Sequence, residues 1–217
     1  MEYKELENLI KTRTSIRRWQ EKPVSEELLL KAVELATWAP NGGNVQNWYF
    51  YIITSPKTIN AIADAVQASV DLMASWPEVE EFGNTFKNYS RFSTFFRTAP
   101  AAIAVASSRY QSLADRLLEK REKVDPRARE MRDWRNIADS RIQSTSAGIA
   151  YLLLILHQMG LGATWMTGPM QAAGAIQKIL KIKTGWELVT FIPVGYPDDQ
   201  ERPRSRKLVE EVTEVIR

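Results

Sequence analysis

Residues 142–159 read IQSTSAGIAYLLLILHQM, and Gly160 follows. The stretch predicts a helix from Ile142 to Met159, closed by that glycine. The second half is apolar on all faces. Such a helix is covered all round, either in a core or against a partner subunit. Its longest apolar run, Ala147 to Leu156, is too short to span a bilayer. Outward from this helix the pattern alternates in kind. Glu2–Lys11 predicts a first helix. Ser25, followed by Glu26 and Glu27, is placed to cap a second one running to about Trp38. Tyr49–Ile53 is aromatic and β-branched and reads as a strand. Pro56 to about Met73 reads as a helix with Pro in its first turn. Ala101–Ala106, Ala163–Met166 and Leu188–Val194 read as further strands. Tyr110–Trp134 reads as solvated helical pieces with a break before Pro126. Without a strict βαβ rhythm, the fold class is α+β.

The chain has 217 residues, enough for one good-sized domain, and its 44% hydrophobic and 25% charged residues are a globular balance. We take residues 1–217 as a single domain, with about 73–135 as its variable region. Net charge is +3 with both signs interleaved, which argues against a nucleic-acid partner but leaves cation for a phosphate. There is no cysteine, and His157 is the only histidine. Disulfides, thiolate zinc sites, cysteine nucleophiles and multi-histidine metal sites are thereby excluded. Redox chemistry would have to come from a bound cofactor. The first residues carry charge and no apolar core, unlike a signal peptide, so a cytoplasmic location without membrane association is expected. His157, inside an apolar helix, reads as a satisfied core histidine.

Three separated segments carry chemistry. Arg13-Thr14-Ser15-Ile16-Arg17-Arg18-Trp19 offers guanidinium forks and a hydroxyl, which match phosphate oxygens. Taken alone it is also an ordinary basic turn. Ala39-Pro40-Asn41-Gly42-Gly43-Asn44-Val45-Gln46-Asn47-Trp48 precedes a strand. Its glycines admit close backbone approach to a planar ligand, and Asn44 and Gln46 supply amides for a heterocycle edge. Pro193-Val194-Gly195-Tyr196-Pro197 turns into a second basic cluster at Arg202, Arg204, Arg206 and Lys207, which alone reads as a frayed terminus.

In this order, the segments resemble the nitroreductase family of flavoproteins. Arg13, Ser15 and Arg17 match its early Arg-x-Ser-x-Arg/Lys segment. Pro40, Asn44, Gln46 and Trp48 match its Pro-Ser-x-x-Asn-x-Gln-Pro-Trp segment. Val194–Pro197, with Arg204 and Arg206, match its terminal motif, and Gly160-Leu161-Gly162 resembles its Gly-Leu-Gly turn. The resemblance implies a nitroreductase-like fold: a central mixed or antiparallel sheet surrounded by helices, in a domain-swapped homodimer. FMN would sit at the subunit interface, with the 142–159 helix in that interface and the tail wrapped on the partner. It further implies that Arg13, Arg204 and Arg206 hold the phosphate. Thr14, Ser15, Pro40, Asn41, Gly42, Asn44 and Gln46 would line the cofactor, and Arg17 would approach the pyrimidine edge. Thr167 and Gly168 would lie near flavin N5. No protein acid or base is required. The implied activity is ping-pong transfer of hydride from NAD(P)H through FMN to a small electron-poor acceptor, such as a nitroaromatic or quinone.

The chain departs from the family pattern at four places. Thr14 stands where many members have Arg or His, Asn41 where Ser is common, Asn47 where Pro is common, and Thr167-Gly168 where the nitroaromatic reductases have Glu-Gly. Reductive dehalogenation, fragmentation of the flavin, and flavin binding without turnover are alternative activities on the same scaffold. A basic helical interaction module without cofactor is the alternative outside it. Trp76, beside Pro77 in the variable region, is a candidate for stacking on a substrate.

Overall fold

A computed structural model describes residues 2–198 and 205–217. The described elements, in chain order, are α1 (Tyr3–Thr12), α2 (Glu26–Ala36), β1 (Trp48–Ile53), α3 (Pro56–Ala74), α4 (Val79–Phe92) and β2 (Ala101–Ser108). They continue with α5 (Leu113–Arg121), α6 (Pro126–Ala138), α7 (Ser140–Gln158), β3 (Gly162–Ala163), α8 (Ala173–Ile179) and β4 (Trp186–Gly195). The four strands form one antiparallel sheet in the order β1-β2-β4-β3, so the fold is α+β.

The sheet separates two apolar layers because successive strand residues point to opposite faces. Ile103 and Val105 of β2, with Ile192 and Val194 of β4, meet Leu29, Ala32 and Ala36 of α2 and Ile149, Leu152 and Leu156 of α7. On the other face Ala102, Ala104 and Phe191 meet Ile59, Ile62 and Val66 of α3 and Ile176 of α8. β2 is therefore buried on both sides, which is why its sequence is an unbroken run of small apolar residues.

The capping residues set the helix boundaries. Ser25 accepts from Leu28 N at 3.2 Å and starts α2, which ends at Ala36, two residues before the expected Trp38. Asp139 accepts from Ile142 N at 3.2 Å and starts α7 at Ser140, slightly ahead of the apolar pattern. Gly160, at φ +76°, lets Leu161 N return to Leu156 O at 2.8 Å and closes the helix. The break before Pro126 is present, between α5 and α6. Two helices lie outside the expectation. α4 buries no residue and is interrupted at Gly83 (φ 45°, ψ −118°), although Val79, Phe82, Phe86 and Tyr89 form an apolar stripe along it. α8 is seven residues long and buries Ile176 alone.

α7 is covered on one side only. Ser144, Thr145, Gly148, Ile149, Leu152 and Leu156 face the core. Gln143, Ala147, Ala150, Leu154 and Gln158 recur at helical spacing on the opposite side, and Tyr151 is 43% exposed. The expected all-round cover is thus half supplied by the chain itself. Among the described residues no helix is long and apolar enough to cross a membrane.

Candidate active site

The Arg13–Trp19 segment is laid along the free side of β3. Ile16 N donates to Ala163 O at 3.2 Å, and Thr164 Oγ1 donates back to Ile16 O. Gln20 N donates to Tyr196 O at 2.9 Å and Asp198 N to Arg18 O at 3.1 Å, while Trp19 Nε1 donates to Gly162 O at 2.9 Å. The contact is so close that a Cβ on Gly162 would stand 2.7 Å from Ile16 Cγ1. One on Gly195 would stand 2.6 Å from Pro100. The basic segment, the Gly-Leu-Gly turn and Val194–Pro197, far apart in the chain, therefore form one ridge. Beside it lies a cavity of about 240 Å³ lined by Arg13, Thr14, Leu153, His157, Gly160 and Pro197.

Arg13, Thr14 and Ser15 are half-buried there, and Arg17 is exposed. His157 is half-buried on α7 and lies 2.9 Å from Thr12 Oγ1, whose proton goes to Asn8 O at 2.8 Å. His157 thus has the hydrogen-bond partner expected of it, but stands half-buried beside the cavity rather than in the core. Further along the same edge of the sheet, Met166 pairs with Phe191 and leads into Thr167–Gly168. Nothing lies within 4 Å of where a Cβ on Gly168 would stand. In the tail, Arg206 is exposed and donates to Ser205 O at 3.1 Å. Arg204 lies outside the described residues.

The Pro40–Gln46 loop is held by its own polar groups. Asn41 Oδ1 accepts from Gln46 N at 2.9 Å, and Gly42 N donates to Ser144 Oγ at 3.1 Å. Gly43, Asn44 and Gln46 all have positive φ (61°, 53° and 51°), a strained sequence of conformations that those bonds secure. Gly42, Asn44 and Gln46 are exposed and face outward from the chain.

Sequence reasoning gave no role to the groups beneath this loop. Asn47, buried, donates through Nδ2 to Ser107 Oγ at 3.1 Å and Ser108 O at 3.2 Å. Ser107 Oγ donates to Asn47 O at 2.9 Å, and Thr145 Oγ1 reaches Ser107 Oγ at 3.0 Å. A lone Asn in a polar loop gives no signal of such a network, although its replacing the common Pro was a hint. Removing one partner of a buried network leaves the others unsatisfied, at roughly 1–3 kcal/mol. Asn47→Ala is expected to lose that much in urea unfolding; a loss below about 0.5 kcal/mol would place the loop's support elsewhere.

The two halves of the expected flavin cradle do not meet within one chain. The glycine loop is tied to α7 at Ser144, the basic segment beside α7 at Leu153 and His157. Nine to thirteen residues of helix, about 14–20 Å, separate the two attachments.

A model of the nitroreductase family matches residues 10–196. An iodotyrosine deiodinase from Thermotoga neapolitana is 28% identical over 212 residues, 95% of this chain and 97% of that protein. An NADH dehydrogenase from Thermus thermophilus is 26% identical over 217 aligned positions, covering 92% and 90%. Among solved structures, a BluB-like flavoprotein from Clostridium difficile 630 superposes with a TM-score of 0.85 at 28% identity, covering 100% of both chains.

Proposed function

The chain belongs to the nitroreductase family, and from that premise we propose that it is a homodimeric FMN oxidoreductase that passes electrons from NAD(P)H to a small electron-poor acceptor. The observation that carries the reading is the placement of the two half-sites at opposite ends of α7. A two-fold partner whose α7 runs antiparallel against this one brings its glycine loop to the basic segment of the first chain, twice over. The outward stripe suits such packing: Ala147, Ala150 and Leu154 are small or apolar, with Gln143 and Gln158 at its ends. Leu30, Trp38, Leu208, Val209 and Ile216 are further exposed apolar groups that a partner would cover.

The residues fit the cofactor. Arg13 lines the cavity at one end of the β3 edge. At the other end the open space at Gly168 leaves its backbone accessible to a planar ring. Gly42 and Gly43 keep the loop backbone free of side chains. When bound, FMN would supply hydride acceptance and release, and Thr167 and Gly168 would lie beside its ring. Arg13, Arg204 and Arg206 hold the phosphate. Ser15, Asn41, Asn44 and Gln46 orient the ribityl chain and ring, and Arg17 balances charge at the pyrimidine edge. With one histidine in the chain, already bonded to Thr12, the protein's contribution is orientation and electrostatics rather than proton transfer.

The purified protein is expected to be yellow and to release FMN, one per chain, on boiling. Arg13→Ala should bind FMN about ten- to a hundred-fold more weakly, the usual worth of a charge-assisted contact to phosphate. Flavin fluorescence titration measures this; unchanged affinity would remove Arg13 from the site. The deiodinase relative supports a second reading, reductive dehalogenation. An acceptor screen with 3-iodotyrosine, a nitroaromatic and a quinone decides between them.

A further inference from the structure

A second cavity, about 360 Å³, lies between the end of β2, the α5–α6 pair and the start of α7. Four arginines, Arg109, Arg132, Arg135 and Arg141, line it together with Tyr110 and Asn136, and two carboxylates, Asp115 and Asp139, share the wall. Residues 109–141 hold ten Lys/Arg against seven Asp/Glu, an excess of three that equals the net charge of the whole chain.

Most of these charges are engaged. Arg135 binds Asp115, which also takes the Ser112 hydroxyl and backbone N–H; Arg132 binds Glu122; Arg141 binds Glu187. Asp139 caps Ile142 N. Arg109 stands apart: its ion pair is long, 3.8 Å to a Glu187 already held by Arg141, and its side chain is 84% exposed. The Tyr110 hydroxyl has no hydrogen bond among the described residues.

The cavity adjoins the glycine loop. The Tyr110 hydroxyl lies 3.2 Å from where a Cβ on Gly43 would stand, and Ser140, in the cavity wall, accepts from the Ser144 hydroxyl that holds Gly42. A ligand anchored here would extend past Gly43 toward the ring of the bound cofactor.

We propose that this cavity, through Arg109 and the Tyr110 hydroxyl, binds an anionic group, carboxylate or phosphate, of the molecule that exchanges electrons with the flavin. The proposal rests on the flavoenzyme reading above and narrows its substrates to small molecules that carry a negative charge. A guanidinium with a weak partner and a phenol with none supply the donors such an oxygen pair needs, and the surrounding salt bridges hold the walls in place.

Calorimetric titration of the flavin-loaded protein and of Arg109→Glu with three probes tests it. 4-Nitrobenzoate stands for a carboxylated acceptor, ADP-ribose for the phosphates of the donor, and nitrobenzene is the neutral control. At least one anion is expected to bind Arg109→Glu about tenfold or more weakly, with nitrobenzene unchanged. The anion that responds identifies acceptor or donor. Tyr110→Phe should weaken the same anion by a smaller factor. Equal binding of both anions by wild type and variant, absence of anion binding to wild type, or an equal loss for nitrobenzene would overturn the proposal. Absence of FMN from the purified protein would instead overturn the flavin reading, and the titrations do not depend on turnover.

Discussion

Leu154→Arg is expected to give a folded monomer that no longer retains FMN at concentrations that saturate the wild type. Leu154 lies on the side of α7 opposite Leu152 and Leu156, which are fully buried in the chain's own core. The substitution should therefore leave the fold intact, with unchanged far-ultraviolet circular dichroism. In a symmetric dimer with α7 against α7, Leu154 lies on the outward stripe, between its centre and the half-site at Leu153 and His157, and meets the partner there. Each guanidinium group buried there without a carboxylate costs several kcal/mol. An obligate interface of this kind buries above about 2,000 Å² in total, yet depends on its centre being apolar. On the proposed arrangement each cofactor site takes the partner's Pro40–Gln46 loop, so the monomer would hold half a site. Light scattering and flavin fluorescence measure the two effects. A monomer that keeps FMN, or a variant that stays dimeric, would show that the half-sites at the two ends of α7 are not joined by a partner.

Gly162→Ala should lose cofactor by a different route, with the dimer kept. A Cβ at this position would overlap three atoms of Ile16, the nearest at 2.7 Å. Ile16 is buried and bonded through its backbone to Ala163 and Thr164, so it has little room to yield. Overpacking of this kind costs about 1–3 kcal/mol. The strain falls on the segment that carries Arg13, Ser15 and Arg17, which would be displaced from the β3 edge. The expected result is a lower midpoint in urea and weaker FMN binding in one variant. Ile16→Ala in the same background should recover part of both by removing the clashing methyls. Loss of stability without loss of FMN would show that the ridge is not part of the cofactor site.

The sequence alone was enough for the α+β class, for strands at Tyr49–Ile53, Ala101–Ala106 and Leu188–Val194, each one to three residues shorter than the strand observed, and for the caps at Ser25 and Gly160. These are local matters: apolar period, β-branching, a side chain that satisfies a helix end. It also singled out Arg13–Trp19, the Pro40–Gln46 loop and Val194–Pro197, each an ordinary turn or loop when taken alone, because in this order they resemble the nitroreductase family. Tertiary structure decided what those segments do to one another. It joined the first and third into a ridge across β3, through backbone bonds whose partners lie more than a hundred residues away. It set the second about 14–20 Å off along α7. Asn47, Ser107 and Thr145 became a buried network only once β1, β2 and α7 were packed, since a polar side chain alone does not tell what will satisfy it. α4 repeats Val79, Phe82, Phe86 and Tyr89 at helical spacing, yet buries no residue and breaks at Gly83, so its apolar period does not mark a core helix. Whether the apolar second half of α7 meets core or partner is likewise beyond any pattern, because hydrophobicity gives the need for cover and not its source.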